Sequence, residues 1–293
     1  MSDFHKVMHV VSRIDMLRSQ LSQWREQGER IGFVPTMGYL HDGHLALVRQ
    51  AQQQCDRVVV SIFVNPLQFN QPGDLAAYPE DLQHDQQQLS AAGVDLLFLP
   101  DEQTIYPDGP QQMTRVCVPG VSETLEGACR PGHFDGVATV VTKLFNLVQP
   151  TRAYFGEKDF QQLLLVKQMV HDLNLPLEIV AVATQREADG LAMSSRNARL
   201  DHESRKLAPQ LYQSLCWLQE ALQQGQDFTA LRAAAEQRLQ QAGFEVEYIA
   251  LCDQQLQPLK RLSEAPSRQA VLLVAARLGG VRLIDNLRID KPA

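Results

Sequence analysis

Histidines 41 and 44 bracket an Asp-Gly pair in the run Pro35-Thr36-Met37-Gly38-Tyr39-Leu40-His41-Asp42-Gly43-His44, and these residue types at this spacing suit triphosphate chemistry. Imidazole N–H groups three positions apart can lie on one helical face and hold phosphoryl oxygens as charge moves onto them. Gly38 and Gly43 let the main chain approach an anion closely, and a helix N-terminus adds partial positive charge. Taken alone, the pattern is equally a tight turn with two surface histidines. Two further polar segments share its setting. Gly156-Glu157-Lys158-Asp159 follows a short apolar run and opens a helical pattern. Met193-Ser194-Ser195-Arg196-Asn197 offers small hydroxyls and a guanidinium that forks across two oxygens. In isolation the first reads as a solvated helix cap and the second as the N-cap region of the next helix. Neither a Walker A pattern nor G-x-G-x-x-G occurs, which disfavours a P-loop ATPase or an ordinary dinucleotide dehydrogenase.

The elements that must position these groups are legible from apolar patterning. Ile31 to Val34 predicts a short buried strand stopped by Pro35, and Leu45 to Ala51 starts a helix. Strands are predicted at 58–64, 94–99, 153–155 and 177–182, alternating with helices at 80–92, 136–148 and 160–173. Such alternation predicts an α/β fold, a parallel sheet with helices on both faces, and ligands bound beyond the carboxyl ends of the strands. After about residue 183 the pattern changes to long helices at 203–224 and 228–241, then strands at 246–252, 270–277 and 281–285. Gly279-Gly280 marks a tight hairpin. The division is therefore a nucleotide-binding domain over 1–183 and a smaller C-terminal α+β domain over 184–293, expected to act as a lid.

Composition narrows the function classes. With 293 residues, 44% apolar and 21% charged, the chain has the make-up of a folded globular protein. A net charge of −7 argues against a general nucleic-acid binder. The longest apolar runs fall short of the ~20 residues a bilayer span needs, and the first residues lack a secretory pattern, so a cytoplasmic location without membrane partners is expected. Five cysteines without C-x-x-C spacing predict reduced thiols, most of them buried, rather than zinc ligands or disulfides.

Five ordered motifs carry a resemblance. They are the Pro35-to-His44 run, Phe63-Val64-Asn65-Pro66-Leu67-Gln68-Phe69, Arg130-Pro131-Gly132-His133-Phe134, Tyr154 to Gln162, and Arg186 to Asn197. Together they resemble the H-x-G-H nucleotidyltransferases related to class I aminoacyl-tRNA synthetases, and more closely the pantothenate synthetases, AMP-forming pantoate–beta-alanine ligases. That resemblance implies a Rossmann-like sheet and a two-step reaction. Pantoate is adenylated by ATP with loss of pyrophosphate, and the amine of beta-alanine then displaces AMP. It implies catalytic roles for His44, as proton donor, and for His41 and Lys158. ATP contacts are implied for Met37, Gly38, Tyr39, Leu40, His41, Asp42, Gly43, His44, Gly156, Glu157, Lys158, Asp159, Gln185, Met193, Ser194, Ser195 and Arg196. Gln68 and Gln162, with Asn65 as a lesser candidate, would bind pantoate and beta-alanine. Asp85 would be associated with Mg2+, which accompanies ATP; the alternative for Asp85 is a solvated helix face. No tightly bound organic cofactor is implied, and a homodimer is. Gln185 departs from the small apolar residue expected near adenine. A nucleotidyltransferase that keeps the nucleotide on its product, and a noncatalytic nucleotide-binding module, are the competing readings.

Overall fold

Val58-Val59-Val60 and Leu96-Leu97-Phe98 are apolar at consecutive positions, as strands covered on both faces must be. In the computed structural model, which describes residues 7–69 and 72–291, both runs lie in a six-stranded sheet. Its strands are β1 (His9–Val11), β2 (Ile31–Thr36), β3 (Arg57–Ile62), β4 (Leu96–Phe98), β5 (Arg152–Gly156) and β6 (Glu178–Val182). The order is β1-β4-β3-β2-β5-β6 and every pairing is parallel. Phe33, Val59, Leu96 and Phe98 face helices Ile14–Glu26 and His133–Val148, packing on Leu17, Leu21, Leu144 and Phe145. Val34, Val58, Val60 and Leu97 point the other way, onto Leu47, Val48 and Ala51 of helix Asp42–Gln54 and Leu89 of helix Leu82–Ala91. The period of two along each strand thus builds two cores on one sheet.

β2 is the strand at which the order reverses, with β3 on one side and β5 on the other. Apolar patterning ends it at Val34, yet it runs to Thr36 in register with β3, pairing Pro35 with Ser61 and Thr36 with Ile62. Along β5 the described pairs are Gly32 with Arg152 and Phe33 with Ala153. Pro35 has no N–H to give, so the ladder toward β5 ends before it while the ladder toward β3 continues. The sheet therefore opens between β2 and β5 at its carboxyl end, where ligands of open parallel sheets bind.

By packing, the chain forms two units. One takes the residues up to Glu157 and Gln162–Ala183, and the other takes Lys158–Gln161 and the chain from Thr184 onward. In the second unit β7 (Glu245–Cys252), β8 (Gln269–Leu278) and β9 (Val281–Asp290) form an antiparallel sheet in that order. Gly279 and Gly280, at φ +57° and +76°, make the two-residue turn that sets Leu278 opposite Val281. Leu215 and Leu218 of helix Gln210–Gln223 and Leu231 of helix Phe228–Gln241 share a core with Leu272, Val274 and Ala276. The helix predicted at 203–224 is in fact two, His202–Leu207 and Gln210–Gln223, because Pro209 between them supplies no N–H. Of the five cysteines, expected to be mostly buried, only Cys55 and Cys252 are.

Candidate active site

The loop leaving β2 turns sharply. Thr36 closes the strand by donating Oγ1 to the Ser61 carbonyl at 2.8 Å, and Gly38 and Tyr39 then both take left-handed backbone, at φ +84° and +51°. Glycine accepts that region freely; tyrosine does so at a cost of ~1 kcal/mol. The Tyr39 and Leu40 N–H groups donate to the two oxygens of Asp85, at 2.8 and 2.7 Å. Asp85 is buried in the first turn of helix Leu82–Ala91. The anion that this turn's main-chain donors meet is thus a carboxylate of the protein itself.

His41 caps helix Asp42–Gln54, its Nδ1 accepting the Gly43 N–H at 3.1 Å, while His44 Nδ1 accepts the His41 N–H at 3.3 Å. The rings lie 4.1 Å apart between centroids. A neutral imidazole whose Nδ1 accepts must carry its proton on Nε2. Each ring therefore presents an Nε2–H donor, and the reciprocal cap fixes both rings at the helix N-terminus.

Beside this loop, Gln68 Nε2 donates to Met37 Sδ at 2.9 Å and Gln68 Oε1 accepts from Asn65 Nδ2 at 3.1 Å. Asn65 is fully used. Its Nδ2 also donates to the Gly136 carbonyl at 3.1 Å, and its Oδ1 accepts from the Tyr106 hydroxyl at 2.7 Å and the Leu67 N–H at 3.3 Å. Burial raises the Tyr106 phenol above its ordinary range, so the hydroxyl stays a donor. The Gln68 carbonyl accepts from His133 Nδ1 at 2.8 Å and from Arg130 at 3.3 Å. Gly136 allows this approach, since a Cβ there would stand 2.4 Å from the Leu67 carbonyl oxygen. Gln162 is half-buried at the start of helix Phe160–Asp172.

In the second unit, the Lys158 carbonyl accepts from Asn286 Nδ2 on β9 at 2.8 Å, and Lys158 Nζ lies 3.6 Å from Asp159 Oδ1. Next to Asn286, buried Asp285 takes a two-point bond from Arg186, at 2.6 and 3.0 Å. Burial pushes the Asp285 carboxyl up, and Arg186 opposes that push. The Arg186 guanidinium also lies 3.6 Å over the Tyr212 ring and donates to the Gly190 carbonyl. This pins the hairpin in which Met193 N–H donates to the Gln185 carbonyl at 2.9 Å. Ser194 then caps the 3-10 turn Ser195–Arg199, its Oγ accepting the Arg196 N–H at 3.3 Å, and Ser195 is buried.

The residues singled out from sequence thus gather in two sets. Met37 to His44, Asn65, Gln68, Asp85, Gly156, Glu157 and Gln162 stand in the first unit; Lys158, Asp159, Gln185 and Met193 to Arg196 stand in the second. Tyr106, Gly136, Asp285 and Asn286 lie outside every motif of the sequence. The first two support Gln68, Tyr106 by bonding Asn65 and Gly136 by letting its helix come close, and no local pattern announces either. The Arg130-to-Phe134 motif does flag Arg130 and His133, without their target.

The site thus begins as a capped histidine pair beyond β2, at the carboxyl end of a six-stranded parallel sheet. Residues 9–288 match the family model described as pantoate-beta-alanine ligase, and the chain belongs to that family. It is 52% identical over 284 residues to the pantothenate synthetase of Pseudomonas paraeruginosa, covering 96% of this chain and 99% of that one. The pantothenate synthetase of a Shewanella species is 51% identical over 280 residues, covering 96% and 99%. Among solved structures, pantothenate synthetase from Thermus thermophilus superposes with a TM-score of 0.88 at 49% identity over 96% of this chain and 99% of that one. The pantoate-beta-alanine ligase of Francisella tularensis, solved with beta-gamma ATP and beta-alanine, gives 0.82 at 38% identity over 96% and 97%.

Proposed function

We propose that this chain condenses (R)-pantoate with beta-alanine through a pantoyl adenylate, and that its two histidines bind the ATP phosphates. A carboxylate is a poor acyl donor because oxide would have to leave. A pantoate oxygen therefore attacks the α-phosphorus, and the bond to pyrophosphate breaks. The beta-alanine amine then attacks the acyl carbon and loses a proton, the C–O bond to AMP breaks, and pantothenate is left. Charge gathers on the pyrophosphate in the first step. The Nε2–H groups of His41 and His44 are suited to receive it, joined in this reading by Lys158, Ser194, Ser195 and Arg196. Loss of one such donor commonly costs ~10²–10³ in rate. Gln68 and Gln162 contact pantoate through neutral amides, which offer donor and acceptor without neutralising the nucleophile. Asn65, with all four of its hydrogen-bonding positions used inside the protein, orients Gln68 rather than touching substrate.

Magnesium belongs to the substrate in this reading, carried on the triphosphate by phosphate oxygens and water. No group of three or more His, Cys, Asp or Glu side chains able to hold a metal occurs among the described residues, so a metal caged by the protein does not fit them. A homodimer in the cytoplasm completes the proposal; no helix among the described residues is long and apolar enough to cross a membrane.

The observation that carries the reading is the histidine pair with both Nδ1 atoms engaged, in a chain of this family. It is tested by pyrophosphate release from Mg-ATP with pantoate, with and without beta-alanine, in the parent, His44→Ala and Lys158→Ala. Pantoate-dependent release, free AMP once beta-alanine is added, and strong impairment of both variants are expected. Nucleotide retained on the product, or full activity in His44→Ala, would overturn it.

A further inference from the structure

Asp85 is buried, and each of its oxygens accepts one main-chain N–H, from Tyr39 at 2.8 Å and Leu40 at 2.7 Å. These are short, charge-assisted bonds to two consecutive residues, one of which sits in left-handed backbone that tyrosine does not favour. Leu40 leads directly into His41, the cap of the helix that holds both rings. Packing closes the arrangement from the other side. A Cβ on Gly38 would lie 3.0 Å from Asp85 Oδ2 and 3.0 Å from Ile62 Cγ2, so loop and carboxylate are already in close contact.

We propose that Asp85 is a positioning residue that clamps the Gly38–Leu40 turn and thereby sets the place of the His41–His44 pair, instead of serving as a metal ligand. The clamp has a second effect. A resident carboxylate occupies the N–H groups of Tyr39 and Leu40 that an incoming phosphate would otherwise find, which leaves the imidazole donors to define the phosphate position. The proposal rests on the reading that His41 and His44 bind the triphosphate.

Asp85→Asn tests it, because the amide keeps one acceptor and turns its NH2 against the other N–H. The assay is pantoate-dependent pyrophosphate release, titrated in ATP and separately in Mg2+. A clamp predicts a kcat lower by ~10²-fold, as for a misplaced catalytic pair, with the ATP KM and the half-saturating Mg2+ within about threefold of the parent. A kcat within twofold of the parent, or one restored by raising Mg2+, would overturn the clamp and return Asp85 to the metal. Amide hydrogen exchange on the unaltered protein gives a test that does not depend on the variant folding. The Tyr39 and Leu40 amides are expected to exchange slowly, equally with and without Mg2+, and exchange at the free-peptide rate would also refute the clamp. His44→Ala with parental activity would instead remove the phosphate reading, while leaving the exchange result to judge the clamp alone.

Discussion

Replacing Asn65 with aspartate exchanges a single buried NH2 for an oxygen, and the surroundings of that atom determine the cost. Asn65 Nδ2 donates to Gln68 Oε1 and to the Gly136 carbonyl, both at 3.1 Å, in a side chain 1% exposed. In Asn65→Asp two hydrogen bonds worth ~1 kcal/mol each are lost, and a buried carboxylate oxygen is set against two acceptors, for a total of about 3–5 kcal/mol. Protonation relieves part of this, since a neutral carboxyl can donate to one of the two. The folded state therefore holds the introduced carboxyl above its unfolded value of ~3.9. Stability lost to the charge is small below that value, grows as the pH rises toward the folded value, and is complete above it. Trp24 lies in the core of the first unit and half-buried Trp217 packs against the core of the second, so Trp217→Phe leaves one fluorophore reporting on the unit that contains Asn65. Urea unfolding in that background from pH 5 to pH 8 is expected to show a deficit that widens with pH, and pantoate KM is expected to rise. A deficit under ~1 kcal/mol at pH 8, or one independent of pH, would refute the assignment of Asn65 as a saturated internal support.

Gly136→Ala should push the Pro66–Gln68 turn away from its helix, because the new Cβ would stand 2.4 Å from Leu67 O and 2.7 Å from Gln68 N; a loss of about 1–3 kcal/mol in urea unfolding and a raised pantoate KM check it. Asn286→Ala removes the donor to the Lys158 carbonyl, and a roughly tenfold lower kcat with little change in pantoate KM is expected from steady-state assays. Gln185→Val keeps the main-chain carbonyl that accepts from Met193, so ATP KM should stay within about twofold; a larger shift would show that the side chain contributes. Burial pushes the Cys252 thiol up to about 12, so at pH 8 a thiol reagent should label exposed Cys117 and Cys129 first and reach Cys252 only after unfolding, as peptide mapping would show.

Sequence patterning locates most of the central sheet, because strands buried on two faces carry near-continuous apolar runs; β8 of the second unit, with its run from Ala270 to Ala276, is legible in the same way. It fails at the edge. β1 is three residues long and largely exposed, so His9–Val11 carries no such signature. Pro35 and Pro209 both act through a missing N–H, yet patterning has the first ending a strand that continues and the second inside a helix that breaks. Which ladder a missing donor belongs to is set by neighbours distant in sequence. The histidine loop is legible because its residues are adjacent along the chain. The groups that hold it and Gln68, namely Asp85, Tyr106, Gly136 and His133, stand 46, 41, 71 and 65 positions from their partners Tyr39, Asn65, Asn65 and Gln68. The resemblance ties Asp85 to Mg2+, and the structure supplies two main-chain donors for its charge.

The four residues Lys158–Gln161 pack with the second unit, although the chain on both sides of them belongs to the first. The polypeptide therefore passes between the units three times, after Glu157, after Gln161 and after Ala183. No single cut separates them. A gene fragment ending at Ala183 would carry Lys158 without Asn286, and one beginning at Thr184 would carry Asn286 without the carbonyl it binds. Shuffling of the C-terminal module onto another nucleotide-binding sheet, or proteolytic release of it as an independent piece, would leave both products incomplete. Interleaving of this kind obliges the two units to be inherited, expressed and stabilised as one.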